Sequence, residues 1–273
     1  MSAFTDMLVS AVPLLLASSG ALVSELAGVM AVFIDGIINL SAFLFYTLTD
    51  ITSNPALAAF LSCLICMSLL YLVSKFTEKT GANPFLAGLA VNLFSAGIVS
   101  LLSSLLYKTQ GVLSASPLLN TQTASASRST LTPLVYVLIL ACAVLLQKTK
   151  TGRRLRITGS DPDVLFERGV SPSFYRTLSW IISGFFASLA GIFLVLKVSS
   201  FVPNISSGRG WIALAVVFLG RKKSAGIAAA VLVFAAAEFL SNTLQGSTVP
   251  SGLLIALPYA AALLLFILVP SKK

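Results

Sequence analysis

About nine long apolar segments, separated by short polar loops, limit most strongly how this chain can fold. They run over about 7–24, 27–49, 56–74, 84–107, 131–147, 177–198, 205–220, 224–242 and 251–270. A helix needs roughly 20 apolar residues to cross a hydrocarbon layer of ~30 Å. Lipid offers no partner to an open backbone, so repeated segments of this length specify a helical membrane bundle. The fifth and seventh fall short, and read as half-helices or as helices tilted into a protein-lined cavity. Composition agrees: 57% of the 273 residues are apolar and 10% are charged, unlike a soluble domain. The expectation is an all-α polytopic bundle, one domain over residues 1–273 with no tandem repeat.

The basic residues set the orientation. With the N-terminus outside and the C-terminus inside, the inner loops hold Lys75, Lys79, seven cations between Lys148 and Arg176, Arg221-Lys222-Lys223 and Lys272-Lys273, which is 14 of the 18. Cytoplasmic loops carry such an excess, and the reverse orientation inverts it. The same clustering beside apolar segments explains the net charge of +9 without nucleic acid. The first apolar run lacks a basic leader and a small-residue cleavage site, so it reads as a retained helix. The Ser/Thr-rich stretch from Lys108 to Thr130 then lies outside. It reads as a mobile connector or as a platform for an external protein.

Several chemistries are excluded. There is no histidine, and the three cysteines (Cys63, Cys66 and Cys142) all sit in apolar segments, where they read as packing residues. No zinc set, no Ser-His pair and no GxxxxGK[ST] loop can be drawn, so the chain is expected to be no enzyme, to bind no metal or cofactor, and to hydrolyse no ATP.

The polar residues inside apolar segments are the candidate functional groups. In the second segment Gly28, Ala31, Asp35, Asn39 and Ala42 recur at helical spacing and are expected on one face. A carboxylate deep in a membrane helix is costly and turns to a cavity or a partner. Asp35 therefore reads as a path residue or as a hydrogen-bond partner of a neighbouring helix. Gly28, Asn39, Asn92 and Glu238 join it as path candidates, Glu238 alternatively as an interfacial carboxylate. Gly184, Ala187 and Gly191 form a small-residue packing stripe. Pro203, Gly208 and Gly210 predict irregular backbone before the seventh segment.

Between the fifth and sixth segments, about 148–176, lies the basic loop. Within it Asp161 suits an N-cap, Pro162 the first helical position and Gly169 the stop, predicting a two-turn helix over 162–168. Val164, Leu165 and Phe166 are expected to face the cytosol and a protein partner.

Three stretches together resemble the permease subunits of bacterial ABC importers of the branched-chain amino acid and ribose type, nearest the simple sugar and purine nucleoside branch. Pro13-Leu14-Leu15-Leu16-Ala17, Glu25-Leu26-Ala27-Gly28-Val29 and Asp35-Gly36 resemble PLLLA…ERxGVxNIGxEG. The loop helix resembles the coupling segment GxNPxAAxxxGI. Gly208-Arg209-Gly210-Trp211-Ile212-Ala213 through Gly220-Arg221 resembles GxGFxAIAVxLLG. Departures are Leu26 for Arg, Ala31 for Asn, Phe33 for Gly, Asp35 for Glu, and Val164-Leu165 for two alanines. The resemblance implies a multi-pass protein of the bacterial cytoplasmic membrane. It also implies separate ATPase subunits, a second and different permease chain, and an external solute-binding lipoprotein. The implied cargo is a nucleoside or simple sugar, and residues 161–169 couple to the ATPase. The competing class is an ion-coupled secondary transporter using Asp35 or Glu238.

Overall fold

The computed structural model describes residues 3–114, 121–244 and 260. Ten helices appear among them: α1 (Ala3–Leu26), α2 (Ile34–Thr52), α3 (Pro55–Thr80), α4 (Pro84–Tyr107), α5 (Thr121–Lys148), α6 (Lys150–Ser160), α7 (Pro162–Glu167), α8 (Pro172–Val198), α9 (Arg209–Leu219) and α10 (Ser224–Thr243). Two short strands, β1 (Leu113–Ser114) and β2 (Ser200–Phe201), pair antiparallel with Leu113 opposite Phe201. Among the described residues, seven helices are long and apolar enough to cross a membrane. The boundaries follow local chemistry. Asn54 and Asn83 accept hydrogen bonds from the first free N–H groups of α3 and α4, each followed by proline at the first helical position.

Two of the expected segments are corrected. The second does not begin at residue 27: residues 27–33 are non-helical and α2 starts at Ile34. Gly28 and Ala31 therefore leave the face that Asp35, Asn39 and Ala42 share. The fifth is no half-helix, because the polar residues from Thr121 extend the helix into a long α5. The seventh is short as expected, with α9 only 11 residues long. The ninth segment, apart from Ala260, lies outside the described residues. So do residues 115–120 of the connector after Lys108.

α8 is the central helix, packed against α1, α2 and α3. Its small residues make this possible, and they serve different neighbours. Gly184 faces Leu70 of α3, while Gly191 lies against the α2 backbone at Ile38 and Ala42. Trp180 is buried and stacks on Phe33 with ring centroids 4.4 Å apart. The outward faces of α3, α4 and α5 expose Phe60, Leu72, Leu93, Leu105, Val137 and Leu140, the surface expected against acyl chains.

The Gly191 contact generates a stability prediction. A Cβ there runs into the Ile38 carbonyl and the Ser41 hydroxyl, whereas one at Gly97 meets nothing within 4 Å. Gly191→Ala should destabilise the bundle by about 1–3 kcal/mol through overpacking. Gly97→Ala should be neutral or stabilising, by up to about 1 kcal/mol. Melting of both variants in detergent checks the opposite signs.

Candidate functional site

The polar residues gather where two interrupted stretches of backbone meet. α1 ends at Leu26, and Glu25 fixes the chain leaving it. Its side chain accepts from Ala31 N–H at 3.3 Å and pairs with Lys222 at 3.2 Å. Asn92 of α4 then bridges the gap to α2. Its Nδ2 donates to the Val32 carbonyl and its Oδ1 accepts from Gly36 N–H, both at 2.7 Å. One amide side chain thus supplies the donor and the acceptor that a continuous helix would have supplied, the requirement for irregular backbone at depth.

Asp35 consequently lies in the first turn of α2, where the positive end of the helix favours a carboxylate. Its Oδ1 accepts from Gly210 N–H and its Oδ2 from the Ser206 hydroxyl, each at 3.0 Å. Gly210 is in the first turn of α9, so the same carboxylate caps a second helix. The approach requires glycine, since a Cβ on Gly210 would stand 2.6 Å from the Asp35 Cα. Asn39, one turn along α2, accepts from Ser206 N–H at 3.1 Å and donates to the Ser206 hydroxyl at 2.8 Å and to Asn204 Oδ1 at 3.3 Å. Gly208 takes φ +77 to start α9. At the other end Gly220 closes α9 and packs on Gly226, turning the chain tightly into α10. The 11 residues of α9 rise about 16 Å from the basic turn Arg221–Lys223 to Gly210, roughly half the ~30 Å thickness of a hydrocarbon layer.

Glu238 of α10 joins this cluster through Arg209. The guanidinium donates to Glu238 Oε1 at 2.8 Å and to the carbonyls of Ile205 and Ser206. Lys197 of α8 approaches the same carboxylate at 3.7 Å and reaches Ser10 of α1 at 3.3 Å. Asp35, Asn39, Arg209, Lys197 and Glu238 are all partly exposed, and both carboxylates have cationic or N–H partners. Of the five expected path residues, the structure brings together Asp35, Asn39 and Asn92 and links Glu238 to them. Gly28 lies apart, with φ +78 against Gly159 of α6. Ser206, Asn204, Arg209 and Lys197 belong to the cluster without any signal of their own in the sequence. Only the breaker pattern of Pro203, Gly208 and Gly210 points to their region.

The basic stretch 148–176 is more ordered than a loop. Thr149 caps α6, whose Gly152, Leu155 and Thr158 are buried while Lys150, Arg153, Arg154 and Arg156 are exposed. Arg154 reaches the Tyr175 hydroxyl at 2.8 Å and ties α6 to the start of α8. Asp161 is the joint between α6 and α7 and makes no side-chain cap bond, contrary to expectation. Pro162 does open α7. Gly169, at φ +69, ends it with Gly169 N–H on Phe166 O and Val170 N–H on Leu165 O. The three apolar residues do not share one face. Leu165 is buried at 2% exposure, Val164 is half-buried, and Phe166 is 76% exposed. Phe174, 60% exposed at the start of α8, is a second apolar group on this arm.

Comparison with known proteins decides the class. The family described as the permease component of the branched-chain amino acid transport system matches residues 3–270. The chain belongs to that permease family. It is 28% identical over 265 residues to the guanosine ABC transporter permease of Bacillus subtilis, covering 89% of this chain and 82% of that one. It is 26% identical over 265 residues to the nucleoside ABC transporter permease of Lactococcus lactis, covering 90% and 83%. A chain of the PsaBC complex of Streptococcus pneumoniae, solved with a Fab, shares the fold with a TM-score of 0.54 at 14% identity, over 99% of this chain and 93% of that one. The chain is thus a transport permease and not an enzyme, and the ion-coupled alternative loses its support.

Asn92 gives the test of this geometry. Asn92→Ala leaves the Gly36 N–H and the Val32 carbonyl without partners, at about 1–3 kcal/mol for each buried group. Asn92→Asp keeps an acceptor for Gly36 and loses the donor to Val32. The expected order of melting temperatures in detergent is wild type, then Asn92→Asp, then Asn92→Ala.

Proposed function

We propose that this chain is the membrane subunit of a bacterial ATP-driven importer for nucleosides, with simple sugars the second substrate class. It would act as one permease domain in the cytoplasmic membrane, N-terminus outside and C-terminus inside. Its companions would be two ATPase subunits, a second and different permease chain, and an external solute-binding lipoprotein. The observation that carries this reading is the separation of two features on one scaffold. A polar cluster lies inside the bundle about half a bilayer's thickness from the basic turn Arg221–Lys223, and a basic arm presents Phe166 close to the start of α8. The relatives named for guanosine and nucleosides support the substrate order. Asp35, Asn39, Asn92 and Glu238 border the path in this reading. Their hydrogen-bonding groups suit a hydroxyl-rich solute, and Asp35 and Glu238 also hold the path's walls.

In the same reading Asp161, Pro162, Val164, Leu165, Phe166 and Gly169 build the contact with the ATPase, in unequal roles. Leu165 anchors α7 to its own chain, Val164 lies at the rim, and Phe166 enters the partner. Burying one such side chain contributes about 1.5–3 kcal/mol, and truncation at an interface centre costs about 2 kcal/mol or more. Phe166→Asp should release the ATPase or separate ATP hydrolysis from uptake of labelled guanosine, with membrane insertion unchanged. Wild-type uptake with the ATPase still bound would refute the coupling role. Uptake competed by glucose and not by guanosine would reverse the substrate order.

The orientation has its own test. In a cysteine-free background, single cysteines at Val112 and Ser160 should react with an impermeant maleimide from opposite sides of the membrane. Reaction of both from one side overturns the topology.

A further inference from the structure

The coupling arm meets the start of the polar cluster through backbone alone. Gly159, next to last in α6, lies on the turn that follows α1. A Cβ on Gly28 would stand 3.0 Å from the Gly159 Cα. A Cβ on Gly159 would stand 2.7 Å from Gly28 N and 3.1 Å from the Ala27 carbonyl carbon. Separations this short leave no room for a side chain on either partner, and atoms in such contact transmit displacement instead of absorbing it by a change of rotamer.

What this contact touches is a strap. Residues 27–33 have no helix of their own, yet the strap is held along its length by other elements. Ser24 Oγ binds the Val29 carbonyl at 2.8 Å, and Glu25 holds Ala31 N–H while paired with Lys222 of the α9–α10 turn. Asn92 holds Val32 and Gly36. The next residue fixed is Asp35, on which Ser206 and Gly210 converge. Two helices also join the arm to the bundle: α5, which leads directly into α6 and whose Leu146 lies on Gly152, and α8, which is packed among α1, α2 and α3 through close glycine contacts. Moving α8 would require repacking the core, and α5 packs on α1, α6 and α8 and, among the described residues, not on α2 or α9, whereas the strap leads directly into α2 without a helix of its own.

We infer that residues 27–33 transmit the movement of the cytoplasmic arm to the mid-membrane cluster, with Gly28 and Gly159 as the positioning residues at its inner end. The inference rests on the coupling role proposed for α7. An ATPase that shifts the arm pushes Gly159 on Gly28. The strap carries that shift to the α2 N-terminus, and the bonds from Asp35 to Ser206 and Gly210 loosen or tighten with it. Neither glycine touches solute.

The test uses the assembled importer in vesicles. Gly159→Ala should lower solute uptake about tenfold, the scale of a lost coupling interaction, while the ATPase stays bound and basal hydrolysis stays within about twofold. Gly81→Ala is the control: Gly81 also has positive φ, at +66, but meets nothing within 4 Å, and uptake should be unchanged by comparison with Gly159→Ala. Wild-type uptake by Gly159→Ala overturns the inference, and so does an equal loss in the two variants. A second measurement does not depend on the variant's stability. Spin labels at Ser160 and Met30, both exposed, should keep one separation in the nucleotide-free and ATP-bound states, while the separation from Ser160 to a label at Phe60 changes. A changing Ser160–Met30 separation overturns the inference. Failure of the underlying coupling role would be seen separately, as normal uptake by Phe166→Asp.

Discussion

One carboxylate sits at the positive ends of two helices. Asp35 occupies the first turn of α2 and accepts the N–H of Gly210 in the first turn of α9. Both helices begin inside the bundle with N–H groups that have no partner in their own helix, and a negative group there is favoured by both helix dipoles. This contact draws α9 against α2, demands glycine at 210, and carries Ser206 and Asn39 into the same network. The insertion cost of an acidic residue is thereby offset within the chain. The residue that first suggests a solute site is thus also the pin of the architecture, and any solute passing here would meet walls whose positions Asp35 sets.

The membrane character and most of the long helices are legible in the sequence, because lipid imposes a length and a composition that single segments display. The distribution of cations is legible for the same reason. The break at residues 27–33 is not. Its residues are as apolar as a helix would be, and only Gly28 interrupts them; the side chains that hold the break are Ser24 and Glu25 at its start and Asn92, far off in sequence on α4, at its end. Likewise the partners of Asp35 lie 171 and 175 residues away, beyond any spacing argument. Glu238 is visible as an anomaly, but Arg209, which holds it, reads in the sequence only as part of a glycine motif.

In the basic arm the punctuation is readable and the facing is not. Pro162 and Gly169 bound α7 as their backbone preferences dictate. A six-residue helix with three consecutive apolar side chains gives no periodicity to assign faces, so burial of Leu165 and exposure of Phe166 come only from the tertiary structure. α6 escapes a sequence reading because its glycines and cations imitate a loop. Those glycines have packing duties instead: Gly152 fits against Leu146 at the end of α5, and Gly159 against the strap.

The ion cluster has an electrical consequence. Asp35 and Glu238 are balanced by Arg209 and Lys197, so the four formal charges cancel. A charge carried across the bilayer exchanges about 2.3 kcal/mol with each 100 mV of membrane potential. A neutral cluster that shifts as a unit exchanges nothing. To the extent that these four groups move together, their displacement is insensitive to the membrane potential, and only a separation of Asp35 from the Arg209–Glu238 pair would feel it.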